Sequence, residues 1–139
     1  MIITESADIF RVLTATRTIA VVGLSPDSAR ASHGVARFMQ ARGYRIIPVN
    51  PAAAEILGER CYPDLASIPE AVDMVDVFRR SDAVLPVALD AIRIGARCLW
   101  LQLDVVNAAA IAAADAAGLD VVADHCLKIE CSRLDCRAD

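Results

Sequence analysis

The 139-residue chain is short of aromatics, histidine and net positive charge, and each shortage excludes something. Aromatic residues are 4% of the sequence, too few to build the stacking platform that single-stranded nucleic acid uses. The net charge of -4 leaves no broad basic face for nucleic acid, although one local basic site for an anion stays open. The two histidines, His33 and His125, lie far apart, and no Ser-His-Asp arrangement, metal-ligand cluster or carboxylate pair stands out. Such a sequence offers a binding site more readily than a reaction centre. No apolar run reaches the roughly 18 residues that span a bilayer. Residues 1–17 carry Glu5 and Asp8 and no basic n-region, unlike a signal peptide, so no membrane contact and a cytoplasmic location are expected. The five cysteines are odd in number, which argues against a disulfide framework. Cys98 sits in an apolar run and reads as packing. Cys126, Cys131 and Cys136 are spaced five apart beside His125 and do not match Cys-x2-Cys metal pairs, so they read as reduced thiols.

What is present is apolar: 56% of residues are hydrophobic and mean hydropathy is +0.45. Parallel sheets covered on both faces need such runs. The length suits one domain, 1–139, with one core. Ile9, Phe10, Val12 and Leu13 predict a helix over 5–14 in a lead-in segment 1–16, with Ser6 as N-cap. Residues 18–22 read as a buried strand, 23–31 as a polar loop, and 32–42 as a helix capped by Ser32. Residues 45–49 are a second strand, 52–57 a helical turn broken by Gly58, and 61–63 an extended piece with Leu65 and Ile68 beneath it. The third strand spans 73–78. Ser81 or Asp82 caps a helix to Ile94, with Pro86 in its first turns. The fourth strand is 97–101. Asn107 caps an alanine-rich helix over 108–117, and 119–123 is the fifth strand. A tail, 124–139, closes the chain, with Cys126, Leu127 and Ile129 expected to pack back. This alternation predicts an α/β fold: a doubly wound parallel sheet of five strands, helices on both faces, in the order 3-2-1-4-5. Strands 1 and 4 then flank the crevice in which ligands bind.

The turn after strand 1 suits a phosphate but not a nicotinamide dinucleotide. That fingerprint wants Gly-x-Gly-x-x-Gly and an acid ending the second strand. Here Gly23 is followed by Leu24, Ser25 and Pro26, and the second strand ends in Asn50-Pro51. Gly23 lets backbone N–H groups approach a phosphate, Ser25 adds a hydroxyl, and the helix from Ser32 adds its dipole. A plain strand-to-helix turn is the alternative. Arg79 and Arg80, directly after strand 3, suit a phosphate through paired hydrogen bonds, or else pair with Asp76 or Asp82. Arg30 can fold over a ligand or stay solvated, and His33 can donate to an anion or simply sit half exposed. An amide at Asn50 tolerates a ribose 3′-phosphate that a carboxylate would repel; it is equally a simple Asn-Pro turn. Phe78 ends strand 3, while Trp100, Leu101 and Gln102 end strand 4, with Trp100 by itself reading as core. His125 and Cys126 are adjacent and point to opposite faces of a strand, which argues against a Cys–His dyad.

Several short runs carry a family resemblance, in order along nearly the whole chain. They are Ala20-Val21-Val22-Gly23-Leu24-Ser25-Pro26, Ser32-His33-Gly34-Val35-Ala36-Arg37, Gly43-Tyr44-Arg45-Ile46-Ile47-Pro48-Val49-Asn50-Pro51, Val75-Asp76-Val77-Phe78-Arg79-Arg80, Trp100-Leu101-Gln102-Leu103 and Cys126-Leu127-Lys128-Ile129-Glu130. With them the chain resembles the small YccU-like CoA-binding proteins, whose Rossmann-like domain also opens the succinyl-CoA synthetase alpha subunit. The resemblance implies coenzyme A, or an acyl-CoA, at the strand ends. Gly23, Leu24 and Ser25 would meet the pyrophosphate, and Asn50 and Pro51 would lie near the adenosine. Phe78 and Arg79 would flank the nucleotide, with Trp100 to Gln102 towards the pantetheine arm. The synthetase's phosphohistidine lies in a second domain, so the resemblance carries over binding and not ligase activity. His125 stands where the family usually has arginine, and Cys131-Ser132-Arg133 replaces a histidine-containing ending. Two other readings stay open. One is an enzyme: a subunit or remnant of an acyl-CoA ligase, or an acyl-CoA enzyme using Cys126. The other is an NAD-binding regulatory domain, against which the missing glycine and acid count. The apolar surface is compatible with a homodimer.

Overall fold

Apolar side chains alternate along the strands, and each of the two sets they form lies under its own layer of helices. The computed structural model describes residues 1–138, so Asp139, the end of the expected tail, lies outside the described residues. In chain order the elements are α1 (Ser6–Ala15), β1 (Thr18–Val22), α2 (Ala31–Ala41), β2 (Arg45–Val49), a hairpin of β3 (Glu55–Ile56) and β4 (Glu59–Arg60), and β5 (Met74–Val77). A 3-10 turn (Ser81–Ala83), α3 (Val84–Arg93), β6 (Cys98–Leu101), α4 (Ala108–Ala116), β7 (Asp120–Val122) and α5 (Leu127–Leu134) follow. Ile19, Val21, Ile46, Met74 and Trp100 face α1, α2 and α5. Ala20, Val22, Ile47, Val75 and Leu99 face α3 and α4. Burying each large apolar side chain contributes roughly 1.5–3 kcal/mol. No helix among the described residues is long and apolar enough to cross a membrane.

The parallel five-stranded α/β sheet is the one the alternation predicts, but the strand order differs. It runs β2-β1-β5-β6-β7, which is 2-1-3-4-5 in the count of large strands, not 3-2-1-4-5. The crevice therefore opens between β1 and β5 rather than between the first and fourth strands. The physical reason is in the residues. Met74-Val75-Asp76-Val77 is buried on both faces and suits a strand with a neighbour on each side. Pro48 in β2 has no N–H for an outer partner, and proline belongs on an edge strand.

Both sheet edges are covered. Beyond β2, the Tyr62 N–H donates to Pro48 O at 3.0 Å and the Asn50 N–H donates to Tyr62 O at 2.9 Å. Beyond β7, the Ile3 N–H donates to Val121 O at 2.8 Å and the Val121 N–H donates to Met1 O at 2.9 Å.

Four local expectations are corrected. Residues 52–57 make no helical turn. Leu57 and Gly58, both with positive φ (56° and 76°), join the β3–β4 hairpin, as a two-residue turn of that hand requires. Ser6 and Ser32 are not N-caps: Glu5 precedes α1, Arg30 precedes α2, and Ser32 lies inside the first turn. Ser81 and Asp82 open a 3-10 turn instead of capping α3, whose N-cap is Ala83. The tail folds into α5 and packs back through Cys126 and Leu127, as expected, and through Cys131 and Cys136, but Ile129 is 58% exposed.

Candidate functional site

The site is built where β1 and β5 end side by side. Gly23 closes β1 with φ +86°, and an added Cβ there would run into the carbonyl oxygen of Phe78. Glycine is required by the close approach of the two strand ends as well as by its conformation. The Gly23 N–H donates to Val49 O at 3.1 Å, so it serves the sheet and is not free for a phosphate.

The loop after Gly23 also satisfies itself. The Ser25 N–H donates to Ser32 Oγ at 3.0 Å, and the Asp27 N–H donates to Ser25 Oγ at 3.1 Å. His33 Nδ1 lies 3.0 Å from Ser25 O, so that nitrogen carries a proton and donates it. The next helix does not close itself. Arg30 occupies the N-cap of α2 in extended conformation and offers no side-chain oxygen to the first turn. An uncapped first turn presents N–H groups and the positive end of the helix dipole.

A groove of about 740 Å³ runs along the strand ends past this first turn. Ala31 and Ser32 line it from α2, and Ser25, Pro26 and Arg30 line it from the loop. Phe78, Arg79 and Arg80 follow from β5, then Gln102, Leu103 and Val105 from β6, and Cys126 from the start of α5. A second cavity of about 360 Å³ lies on the α3 side, walled by Pro51, Pro63, Leu65 and Val87 and by the carboxylates Asp64 and Asp90. Gly23, Asn50 and Arg79 line both cavities and so form the crest between them. Arg80 pairs with Asp82 at 3.5 Å on the surface, whereas Arg30 and Arg79 make no ion pair among the described residues.

Asn50 has a local task that its sequence position did not reveal. Its Nδ2 donates to Leu24 O at 2.9 Å and its Oδ1 accepts from the Ala52 N–H at 2.8 Å. A carboxylate could accept the second bond but could not donate the first.

Four predicted residues are not brought to the rim. The side chains of Leu24, Trp100 and Leu101 are fully buried in the core, and Trp100 Nε1 donates to His125 O at 2.8 Å. Trp100 and Leu101 point to opposite faces of β6, and helices cover both faces, so neither side chain reaches the rim. His33 turns its ring to the Ser25 carbonyl and lines neither cavity. The structure adds Ala31, Val35, Leu103, Val105 and Cys126 to the groove. Leu103, Val105 and Cys126 all follow strand ends, which was the available signal; Val35 read only as core. His125 Nδ1 contacts Ala123 O at 2.7 Å and so is engaged away from Cys126.

Asp76 is the one fully buried carboxyl in the sheet, and its side chain reaches the groove's floor through Gln102. Gln102 Nε2 donates to Asp76 Oδ1 at 2.6 Å, and Gln102 Oε1 accepts from the Leu127 N–H at 3.4 Å. Asp76 Oδ2 has no partner. Burial raises the Asp76 carboxyl to about 7, against the pull of the Gln102 hydrogen bond. Burial likewise raises the Cys98 and Cys131 thiols, which keeps them protonated. No group of three or more side chains suited to hold a metal occurs among the described residues.

Comparison with known proteins gives a consistent set of matches. A family model described as a CoA binding domain matches residues 17–132. An uncharacterised Bacillus subtilis protein, YneT, is 40% identical over 125 residues, covering 90% of this chain and 93% of its own. A solved Pyrococcus horikoshii protein superposes with TM-score 0.91 at 37% identity, covering 94% of this chain and 92% of that one. An ADP-forming acetate–CoA ligase of Archaeoglobus fulgidus is 34% identical over 58 residues, which is 42% of this chain and 8% of the ligase. An acetyl-coenzyme A synthetase of Ca. Korarchaeum cryptofilum superposes with TM-score 0.71 at 25% identity, covering 84% of this chain and 28% of the synthetase.

Proposed function

Because the chain belongs to the CoA-binding domain family, we propose that it binds coenzyme A or an acyl-CoA along the strand-end rim and acts as a binding module. One observation carries the reading: α2 presents an uncapped N-terminus to the groove, beside Arg30 and Arg79, which make no ion pair among the described residues. Such an end is a ready anion site. The diphosphate sits at the crest, against the first turn of α2, with Arg30 and Arg79 as its cations. The adenosine enters the smaller cavity between Pro51, Pro63, Leu65 and Val87, whose two carboxylates are engaged, Asp64 by Ser67 at 2.6 Å and Asp90 by Arg93 at 2.6 Å. Asn50 holds the loop between them and brings no charge against a 3′-phosphate. The pantetheine arm follows the groove past Phe78 towards Gln102 and Cys126. Backbone N–H groups of α2, rather than that of Gly23, carry the phosphate contact.

Thermal unfolding with coenzyme A and with NAD at equal concentration tests this. A ligand at 100 times its Kd stabilises the folded chain by about 2.7 kcal/mol. Coenzyme A is expected to raise the melting temperature and NAD to do so less. In an Arg79→Ala variant the coenzyme A shift should shrink, since a charged hydrogen bond is worth roughly 1.5–3 kcal/mol. Equal shifts with both nucleotides, or none with coenzyme A, would refute the reading.

A further inference from the structure

The groove changes character along the sheet edge. Its cations end with Arg79 and Arg80 behind β5, and past β6 the lining is uncharged: Gln102, Leu103, Val105 and Cys126. Leu103 is 56% exposed. A lone exposed leucine needs no explanation, but this one lies beside Val105 and Cys126 within the same cavity.

The polar groups at this end are already engaged. Gln102 uses its amide on Asp76 and on the Leu127 N–H. The Asp104 N–H donates to Asp124 Oδ1 at 2.7 Å, the Val105 N–H to Gln102 O at 2.9 Å, and the Val106 N–H to Ser81 Oγ at 3.0 Å. The charges nearby are carboxylates. Asp104 and Asp124 are exposed beside the loop, whereas Asp76, buried behind Gln102, holds its proton up to about pH 7 and adds no charge in mildly acidic solution. Lys128, in the first turn of α5, lies over the Phe38 ring at 5.5 Å.

We infer that the site selects an acyl-CoA whose acyl group is uncharged and apolar, and discriminates against one ending in a carboxylate. The inference rests on the coenzyme A reading, which runs the arm from the crest into this end. A terminal carboxylate would find there only Arg80, which adjoins the Ser81 bonded to this loop and is already paired with Asp82 at 3.5 Å, and no free donor among the amides named. It would give up hydration close to the exposed carboxylates of Asp104 and Asp124 without compensation. A hydrocarbon chain of the same length would bury its surface against Leu103 and Val105.

Calorimetric titration with coenzyme A, butyryl-CoA and succinyl-CoA decides the matter, because the two four-carbon acyl groups differ by the terminal carboxylate. Butyryl-CoA is expected to bind about tenfold tighter than coenzyme A, and succinyl-CoA no tighter than coenzyme A. Butyryl-CoA binding no better than coenzyme A, or succinyl-CoA matching butyryl-CoA, would overturn the inference and leave the coenzyme A reading standing. Failure of all three to bind would overturn both. A Leu103→Lys variant, at an exposed position, should bring succinyl-CoA at least level with butyryl-CoA; an unchanged ranking counts against the inference.

Discussion

Two helices start at the same edge of the sheet and finish their first turns in opposite ways. At α4, Asn107 Oδ1 accepts from the Ala110 N–H at 2.9 Å while its Nδ2 donates to Ser81 O at 2.9 Å. The end is closed by the chain's own side chain. At α2, an arginine stands in the capping place and closes nothing. The α5 start is intermediate, its first N–H being met by Gln102 from across the sheet. A protein gains about 1 kcal/mol from a good cap, and in the proposed reading the ligand's phosphates supply the acceptor that α2 forgoes beside Arg30 and Arg79, which make no ion pair among the described residues.

The largest effect should come from the turn that supports the open end. Gly23→Ala drives a Cβ into the Phe78 carbonyl at a positive φ, and a loss of more than about 3 kcal/mol is expected in denaturant unfolding. The control is Gly118→Ala after α4. It shares the positive φ but an added Cβ meets nothing within 4 Å, so it should cost only about 1–2 kcal/mol. Equal losses would mean that the approach of β1 and β5 carries no weight.

The intermediate case should titrate. Folded Asp76 keeps its proton up to about pH 7, whereas an unfolded aspartate releases it near 3.9. Between those values the folded chain binds more protons, so this carboxyl makes stability fall as pH rises through the window. The drop should be a few kcal/mol. It should be absent in Asp76→Asn, and parallel pH profiles for the two proteins would show that the buried carboxyl does not titrate in this range.

The smallest stability effects separate the two caps directly. Asn107→Ala should lower stability by roughly 1–2 kcal/mol and leave coenzyme A affinity unchanged. Arg30→Asp should do the reverse: it supplies α2 with a cap, stabilises the free chain by about 1 kcal/mol, and weakens coenzyme A at least about tenfold. Tighter binding by the Arg30→Asp protein would argue that the helix end is not where the phosphates sit.

The strands were legible because their apolar runs are bounded by glycines, prolines and charges. Their order was less so. The run 73–78 reads as buried wherever it is placed, and the decisive residue, Pro48, sits inside a motif that drew attention for its ends. The hairpin at Glu55–Arg60 is too short for its alternation to register against a helical turn. At the rim, residues adjoining β1 and β5 were found because phosphate chemistry has a recognisable vocabulary of glycine, serine and arginine. Leu103 and Val105 follow a strand end but have no such vocabulary, so position alone marked them and the folded loop was needed to put them in a cavity. Trp100 and Leu101 were placed near the ligand by strand position, although they point to opposite faces of a sheet that helices cover on both sides.

The hydrogen bonds along the two outermost strands limit how copies of this chain can associate. With proline and Tyr62 on one flank and the amino-terminal residues on the other, neither border offers a ladder of spare donors for a further strand. Any homomeric assembly must then be sought among helical surfaces, not in a continuous intermolecular sheet.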